Sequence, residues 1–321
     1  MNRRGVNLSS SHKIPKRSFG RHEDQVSIIA MGGGHIVRPG VTDDEAIHVI
    51  NTAIDSGITF IDTAWDYGEG LSERRIGMAL EGRFDDLFVA TKVCSRDGQE
   101  ASKQIDESLE RLKTDSVDLI SIHECNYDND PEWIFEDGGV MESLIEAREK
   151  GKTKYIGFTG HKRPEILLEM LNADIEWDSC QMPINVMDSM FRSFENQVLP
   201  ILNDRGIACI GMKSLGGNGQ IVTDAGLTAK QCRTYALSQP ITTLSCGMVD
   251  IGNVEQDTSI AASFVPMSEE EQEALRASVR REATDGRHEW FKTNNFFDNW
   301  YHREQHGYPV HADVRSALGL K

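Results

Sequence analysis

Four side chains of complementary chemistry stand at the ends of three consecutive apolar runs in this 321-residue sequence. Phe60-Ile61-Asp62-Thr63-Ala64 leads into Trp65-Asp66-Tyr67-Gly68, the next run ends Ala90-Thr91-Lys92-Val93, and the third ends Ser121-Ile122-His123-Glu124. Singly, each has a plain structural explanation: a strand-end Asp caps a loop, a Lys faces solvent, a His in an apolar strand satisfies the core. Together, a carboxylate, a phenol, an ammonium and an imidazole at one mouth suit hydride addition to a carbonyl, where a developing alkoxide needs a proton and hydrogen bonds. Tyr67 is the expected proton donor. Its phenol would ordinarily titrate near about 10, and the Lys92 ammonium is expected to lower that by favouring the phenolate. Asp62 is expected to keep Lys92 charged and oriented, and neutral His123 to donate a hydrogen bond that sets the direction of the carbonyl.

Such a set needs strands that end side by side. Runs with β-branched character recur at 26–32, 59–64, 87–93, 117–124, 155–160, 179–185, 208–213 and 242–247, with helix-period segments between them. One helix is expected at 43–56, with Ala46, Ile47, Ile50, Ala53 and Ile54 on one face. Thr42/Glu45, Thr228/Gln231 and Ser268/Glu271 have the spacing of capping boxes. Alternation of strands and helices implies parallel pairing. Eight units are what a closed (β/α)8 barrel of the TIM type requires, with its chemistry at the strand C-termini. The expected layout is an N-terminal arm or hairpin over 1–25, the barrel over 26–283 and a C-terminal extension over 284–321. That extension carries Trp290, Phe291, Phe296, Phe297, Trp300, Tyr301 and Tyr308, read as aromatics packing on the barrel or a subunit contact in preference to a loop over the mouth.

A net charge of −17 argues against nucleic acid and anionic membrane surfaces as partners. No run of about eighteen apolar residues exists to span a bilayer, and residues 1–20 lack the apolar stretch of a secretory signal, so a cytoplasmic location is expected. The six cysteines, Cys94, Cys125, Cys180, Cys209, Cys232 and Cys246, are scattered without a C-x-x-C pair and read as reduced, mostly buried thiols. His288, His302, His306 and Glu304 match no strong zinc spacing and are read as tail polar residues, so no metal is expected.

Those strand ends carry a family resemblance. FIDTAWDYGEGLSERRIGMAL, LFVATKV, SLERLKTDSVDLISIHE, GKTKYIGFTGH, CQMPIN and PILNDRGIACIGMKSLGG resemble the aldo/keto reductase family over residues 26–282. The resemblance implies an (α/β)8 barrel that binds NADPH, usually, in an extended form without a Rossmann motif. It places the family's catalytic tetrad on Asp62, Tyr67, Lys92 and His123 without substitution, and Gln181 on the nicotinamide carboxamide. Thr159 stands for the serine common beside it, with Gly160 in place of an asparagine. Met212 stands for an aromatic that stacks on the nicotinamide. Lys213, Ser214, Leu215, Gly216 and Gly217 match the pyrophosphate turn, where N–H groups and a cation meet phosphate. Gly32, Gly33 and Gly34 match the turn after the first strand, close to the cofactor, as is Asp62.

The family places basic side chains after the eighth strand to clamp the adenosine 2′-phosphate. Here 247–275 contains no Lys or Arg, and Gln256 and Asp257 sit where Glu-Asn often lies beside adenine. A carboxylate near the ribose favours the 2′-hydroxyl of NAD. NADP(H) is therefore expected by resemblance, with NAD(H) at least competitive unless cations fold in from elsewhere. The expected partner is a small carbonyl or alcohol (aldehyde, ketone or sugar), and a homo-oligomer stays open. Trp65 and the loop 125–139, with Tyr127, Trp133 and Phe135, are expected to shape its pocket. Two other functions compete: a Schiff-base aldolase using Lys92, and a regulatory subunit that holds nicotinamide with little turnover.

Overall fold

The computed structural model describes residues 13–294, 296–297 and 299–308. The ends of the expected arm (1–12) and extension (309–321) lie outside the described residues, as does the Trp300 side chain. A short antiparallel hairpin, β1 (Lys16–Ser18) and β2 (Gln25–Ser27), precedes eight parallel strands. These are β3 (Ile29–Gly32), β4 (Phe60–Asp62), β5 (Phe88–Val93), β6 (Val117–Ile122), β7 (Thr153–Thr159), β8 (Ser179–Pro183), β9 (Ala208–Met212) and β10 (Thr243–Gly247). They follow one another in chain order and close when β10 pairs with β3, making the (β/α)8 barrel that the alternation implied.

The first barrel strand is shorter than the apolar run 26–32. Ser27 bonds sideways to Thr59, its N–H to Oγ1 at 3.0 Å and its Oγ accepting the Thr59 N–H at 2.9 Å, so the chain turns there. Val26 thus belongs to the hairpin, and only Ile29–Gly32 joins the barrel.

Period-two alternation decides what each strand offers inward. On β5, Val89 and Val93 face the helices, whereas Phe88 and Ala90 join the central core with Phe60, Leu119, Ala30 and Ile210. Phe19 of the hairpin plugs the bottom of that core, 4.6 Å from Phe88 and 5.1 Å from Tyr155 between ring centroids. One step above this apolar floor the inward positions are Asp62 on β4 and Lys92 on β5. The floor therefore stops where the chemistry begins.

The outer layer behaves as its pattern requires. Helix Asp43–Asp55 buries Ala46, Val49, Ile50 and Ala53, with Ile47 and Ile54 half-buried at the edge. All three expected capping boxes form. The six cysteines are free and buried. The stretch 125–139 is not a plain loop: Pro131 helps start helix Asp130–Phe135. Among the described residues, no helix is long and apolar enough to cross a membrane.

The segment after Ala283 is fastened by a buried charge cluster. Lys292 Nζ lies 2.6 Å from Asp188 Oδ1 and 2.8 Å from Glu289 Oε1, and Asn185 donates to the same Glu289 oxygen at 2.8 Å. Tyr308 donates to Asp130, which also pairs with buried Arg96 at 2.7 Å.

Candidate active site

The four strand-end side chains meet. Lys92 Nζ donates to Asp62 Oδ1 and to the Thr63 carbonyl, both at 2.6 Å, and stands 3.4 Å from Tyr67 Oη. The other Asp62 oxygen accepts from Gln181 Nε2 and Ser245 Oγ, each at 2.7 Å. Asp62 is thus held from three strands, and it in turn fixes Lys92 beneath the phenol. The His123 ring meets Tyr67 edge-on, with centroids 5.5 Å apart.

Tyr67 departs from expectation. Its phenol is pushed well above the ordinary value, first by burial and then by Asp62, Asp66 and Glu124. Lys92, whose Nζ also donates to the phenol oxygen at 3.4 Å, does not overcome this.

His123 Nδ1 lies 3.6 Å from Cys94 Sγ and 3.1 Å from Asp66 Oδ1, yet that carboxylate oxygen has no aligned donor. Burial, then Asp66 and Glu124, drive the Cys94 thiol well above its usual range. The Cys94 thiol thus keeps its proton, and which partner donates across the 3.6 Å contact depends on the His123 tautomer. Asp66, Cys94 and His123 are also the one group of three metal-ligand types found close together among the described residues.

Asp62, Asp66, Tyr67 and Glu124 border a cavity of about 1000 Å³, with Lys92 and His123 packed behind them. Of the expected cofactor residues, Gly32, Gly34, Asp62, Gln181, Met212, Lys213, Ser214, Leu215, Gly217, Gln256 and Asp257 line it. Three do not. Gly33 packs on Ser72, Gly216 lies against the His288 carbonyl, and the Thr159 hydroxyl is turned to the Glu124 N–H at 2.8 Å.

Asp257 is not the bare carboxylate its surroundings in sequence suggested. Arg233 folds in from helix Ala229–Ser238 and meets it at 3.2 and 3.0 Å, while its third nitrogen donates to Ser214 Oγ at 2.7 Å. A cation does reach this end, but it comes from outside 247–275. Arg38, exposed on the cavity rim, adds another.

Lys213 takes a left-handed backbone (φ 56°) and sets its ammonium 4.9 and 5.5 Å from the ring centroids of Phe297 and Phe291. Burial lowers it to about 8, opposed by Glu124 and assisted by Lys92.

The substrate end differs from the expected one. Trp65 turns away to donate to Glu107 at 2.8 Å, Tyr127 and Trp133 pack on Tyr308, and Phe135 on Trp177. The C-terminal segment takes their place: Phe296, Phe297, Tyr301 and His302 line the cavity. The segment does both: Phe291 and Tyr308 are buried, the packing expected from sequence, while Phe296, Phe297 and Tyr301 line the cavity, the reading set aside there. His302 Nδ1 reaches Glu124 Oε2 at 3.3 Å, and His161 Nε2 meets the other oxygen at 3.2 Å. These imidazoles, with His123, hold the Glu124 carboxyl well below its usual range against the opposing effect of burial. Ser245, Arg233, Asp66, Glu124 and His302 are the site residues that sequence reading missed; Asp66 and Glu124 stood beside tetrad members, and Ser245 faces inward by strand alternation.

The Aldo/keto reductase family model matches residues 28–265. The chain belongs to the aldo/keto reductase family. It is 31% identical to L-galactose dehydrogenase of Arabidopsis thaliana over 222 residues, covering 63% of this chain and 66% of that one. It is 24% identical over 318 residues to the uncharacterized oxidoreductase YqkF of Bacillus subtilis (strain 168), covering 83% and 97%. The holo form of an aldo-keto reductase from Bacillus halodurans superposes with a TM-score of 0.70 at 20% identity, covering 83% and 96%. This aldo/keto reductase is an oxidoreductase that acts on carbonyl and alcohol groups.

Proposed function

We propose that this protein interconverts a small carbonyl compound and its alcohol with a nicotinamide coenzyme, holding the reacting oxygen between Tyr67 and His123. The observation that carries the reading is the junction of Lys92, Asp62 and Tyr67 beside His123, with Asp62 and Tyr67 lining one cavity. The cavity suits such a coenzyme. It is at the top of the roughly 300–1,000 Å³ range of small-molecule sites, and it runs from the tetrad past Gln181 and Lys213 to Arg233 and Gln256. Gln181 would hold the carboxamide, the turn at 213–217 with the Lys213 ammonium the pyrophosphate, and Gln256 the adenine. When bound, the coenzyme supplies the hydride.

The residues divide the remaining work. Tyr67 gives hydrogen bond and proton to the oxygen as negative charge develops there. Its raised pKa keeps it a phenol, not a phenolate, so it is ready to donate. His123 adds the second hydrogen bond through a ring N–H. Lys92 places a positive charge under the phenol to stabilise the phenolate left behind. Asp62, braced by Gln181 and Ser245, holds Lys92.

Arg233 neutralises Asp257 and so removes the bare carboxylate that favoured NAD(H), while Arg38 offers a cation at the rim. We therefore favour NADP(H), with NAD(H) second. Titrating both into the protein compares the two affinities.

Tyr67→Phe tests the whole reading, since it removes the proton donor and keeps the ring. The expected loss in kcat for propanal reduction is roughly 10²–10⁴-fold, with coenzyme affinity unchanged. An undiminished rate would refute it.

A further inference from the structure

The ends of β4, β5 and β6 bring together three side chains that no short spacing connects. Val93 on β5 pairs with Ile122 on β6, so the next residues, Cys94 and His123, leave the sheet side by side. Asp66 reaches them from the turn after β4. Arg96 ties two of the three backbones together, donating through Nη1 to the Cys94 carbonyl at 2.7 Å and to the His123 carbonyl at 2.9 Å. Cys94 and His123 are buried, and the Asp66 side chain is nine-tenths buried on the cavity wall.

Their polar atoms have the spacing of one face of a tetrahedral metal site. With bonds of about 2.3 Å to thiolate sulfur and about 2.0–2.1 Å to imidazole nitrogen and carboxylate oxygen, Zn²⁺ sets sulfur about 3.6 Å and oxygen about 3.3 Å from the nitrogen. Here Cys94 Sγ stands 3.6 Å and Asp66 Oδ1 3.1 Å from His123 Nδ1, and the ligand atoms of the three residues all lie within 4.8 Å of one another. A second, independent observation points the same way. Asp66 Oδ1 is fully enclosed and accepts no hydrogen bond from a described residue, close as His123 Nδ1 is. Native proteins rarely leave a buried carboxylate oxygen unmet, because it loses its water and gains nothing in return. A cation shared with the adjacent nitrogen and sulfur meets that demand.

We propose that Asp66, Cys94 and His123 form a binding site for a thiophilic divalent cation of the Zn²⁺ class, with the fourth coordination position toward the cavity. A thiolate and an imidazole select zinc over Mg²⁺ and Ca²⁺, which take oxygen ligands. The cavity that Asp66 lines is the way in, and Cys94 and His123 lie behind it. As the zinc–sulfur bond forms, the Cys94 thiol releases its proton to solvent; His123 Nδ1 and the Asp66 carboxylate supply lone pairs, and no electron is transferred. Spacing rules miss such a site because they find ligands a few residues apart on one hairpin or helix, whereas these come from three strand ends.

Zinc binding to the chelator-treated protein reads the site directly. Competition with a fluorescent zinc indicator should show one Zn²⁺ held tightly per chain and retained against an about 1000-fold excess of Mg²⁺. Cys94→Ser and Asp66→Asn should each weaken it by more than the roughly 10–100-fold that loss of a merely supporting contact costs. Co²⁺ in place of zinc gives a readout that needs no variant. The wild type should show a thiolate-to-cobalt charge-transfer band in the near ultraviolet together with the strong visible bands of tetrahedral cobalt. If the wild type binds no zinc, if both variants bind it as tightly as the wild type, or if the Co²⁺ spectrum lacks the thiolate band, the proposal is wrong. These measurements follow the metal and not turnover, so that outcome leaves the carbonyl–alcohol reading untouched.

Discussion

Raising the pH through 8 should loosen the coenzyme, and Lys213 is the reason. Its ammonium borders the cavity between two aromatic rings and forms no ion pair or hydrogen bond among the described residues. Burial brings it down to about 8, so it carries charge below that pH and loses it above. Only the charged form attracts a phosphate, and the phosphate in turn keeps the bound lysine protonated. The dissociation constant then grows as one plus ten to the power (pH − pKa), which is about 1.1 at pH 7 and about 11 at pH 9. The expected weakening between those two values is therefore roughly tenfold. Isothermal titration of NADPH at pH 7, 8 and 9 measures it directly. Repeating the pH 8 titration in buffers of different ionisation enthalpy counts the proton taken up, expected at about one half per coenzyme bound. Lys213→Met should bind weakly at pH 7 and change little to pH 9. A flat profile in the wild type, or an equal rise in Lys213→Met, would show that this ammonium does not meet the coenzyme.

The adenine end and the neighbouring glycine give two further tests. Arg233→Met should strand Asp257 as an unpaired buried charge and cost about 3–5 kcal/mol, read as a fall in Tm of roughly 6–10 °C at about 2 °C per kcal/mol. Adding Asp257→Leu should recover much of that, since an apolar pair replaces the ion pair without a stranded charge; a double variant less stable than Arg233→Met alone would contradict this. Gly247 lets His35 pass close, because a Cβ there would stand 2.2 Å from His35 Nδ1. Gly247→Ala should force that ring aside at a cost of roughly 1–3 kcal/mol and weaken coenzyme binding; unchanged Tm and Kd would show that the ring has room to move.

The meeting of Asp62, Tyr67, Lys92 and His123 was legible because it needs only short-range rules. Alternation along β4 and β5 fixes which residues face inward, and parallel strands fix which ends share a mouth, so Asp62 and Lys92 could be placed together from their positions. Helix caps are equally local: each box spans four residues, and all three formed. The boundary at Val26 failed because Ser27 bonds across the chain to Thr59 instead of extending the run, and nothing in an apolar pattern marks that choice.

What escaped the sequence depends on burial or on distant partners. The charge on Lys92 was foreseen, but the Tyr67 phenol is governed by two things that no spacing encodes: its depth and the carboxylates of Asp62, Asp66 and Glu124 around it. The same holds at the other end of the cavity. The absence of cations in 247–275 was a true observation and a poor guide, because helix Ala229–Ser238 brings Arg233 across 24 residues to meet Asp257. The tail is the sharpest case. Aromatic residues after Ala283 fit burial and an overhang equally well until Lys292 is seen to anchor on Asp188, 104 residues earlier, and His302 on Glu124. Both uses then hold at once: the anchor buries part of the segment, and Phe296, Phe297 and Tyr301 beyond it wall the substrate end. On the proposed reading, one wall of the cavity is thus set outside the barrel strands, in a segment whose position depends on long-range pairs such as Lys292–Asp188 and His302–Glu124.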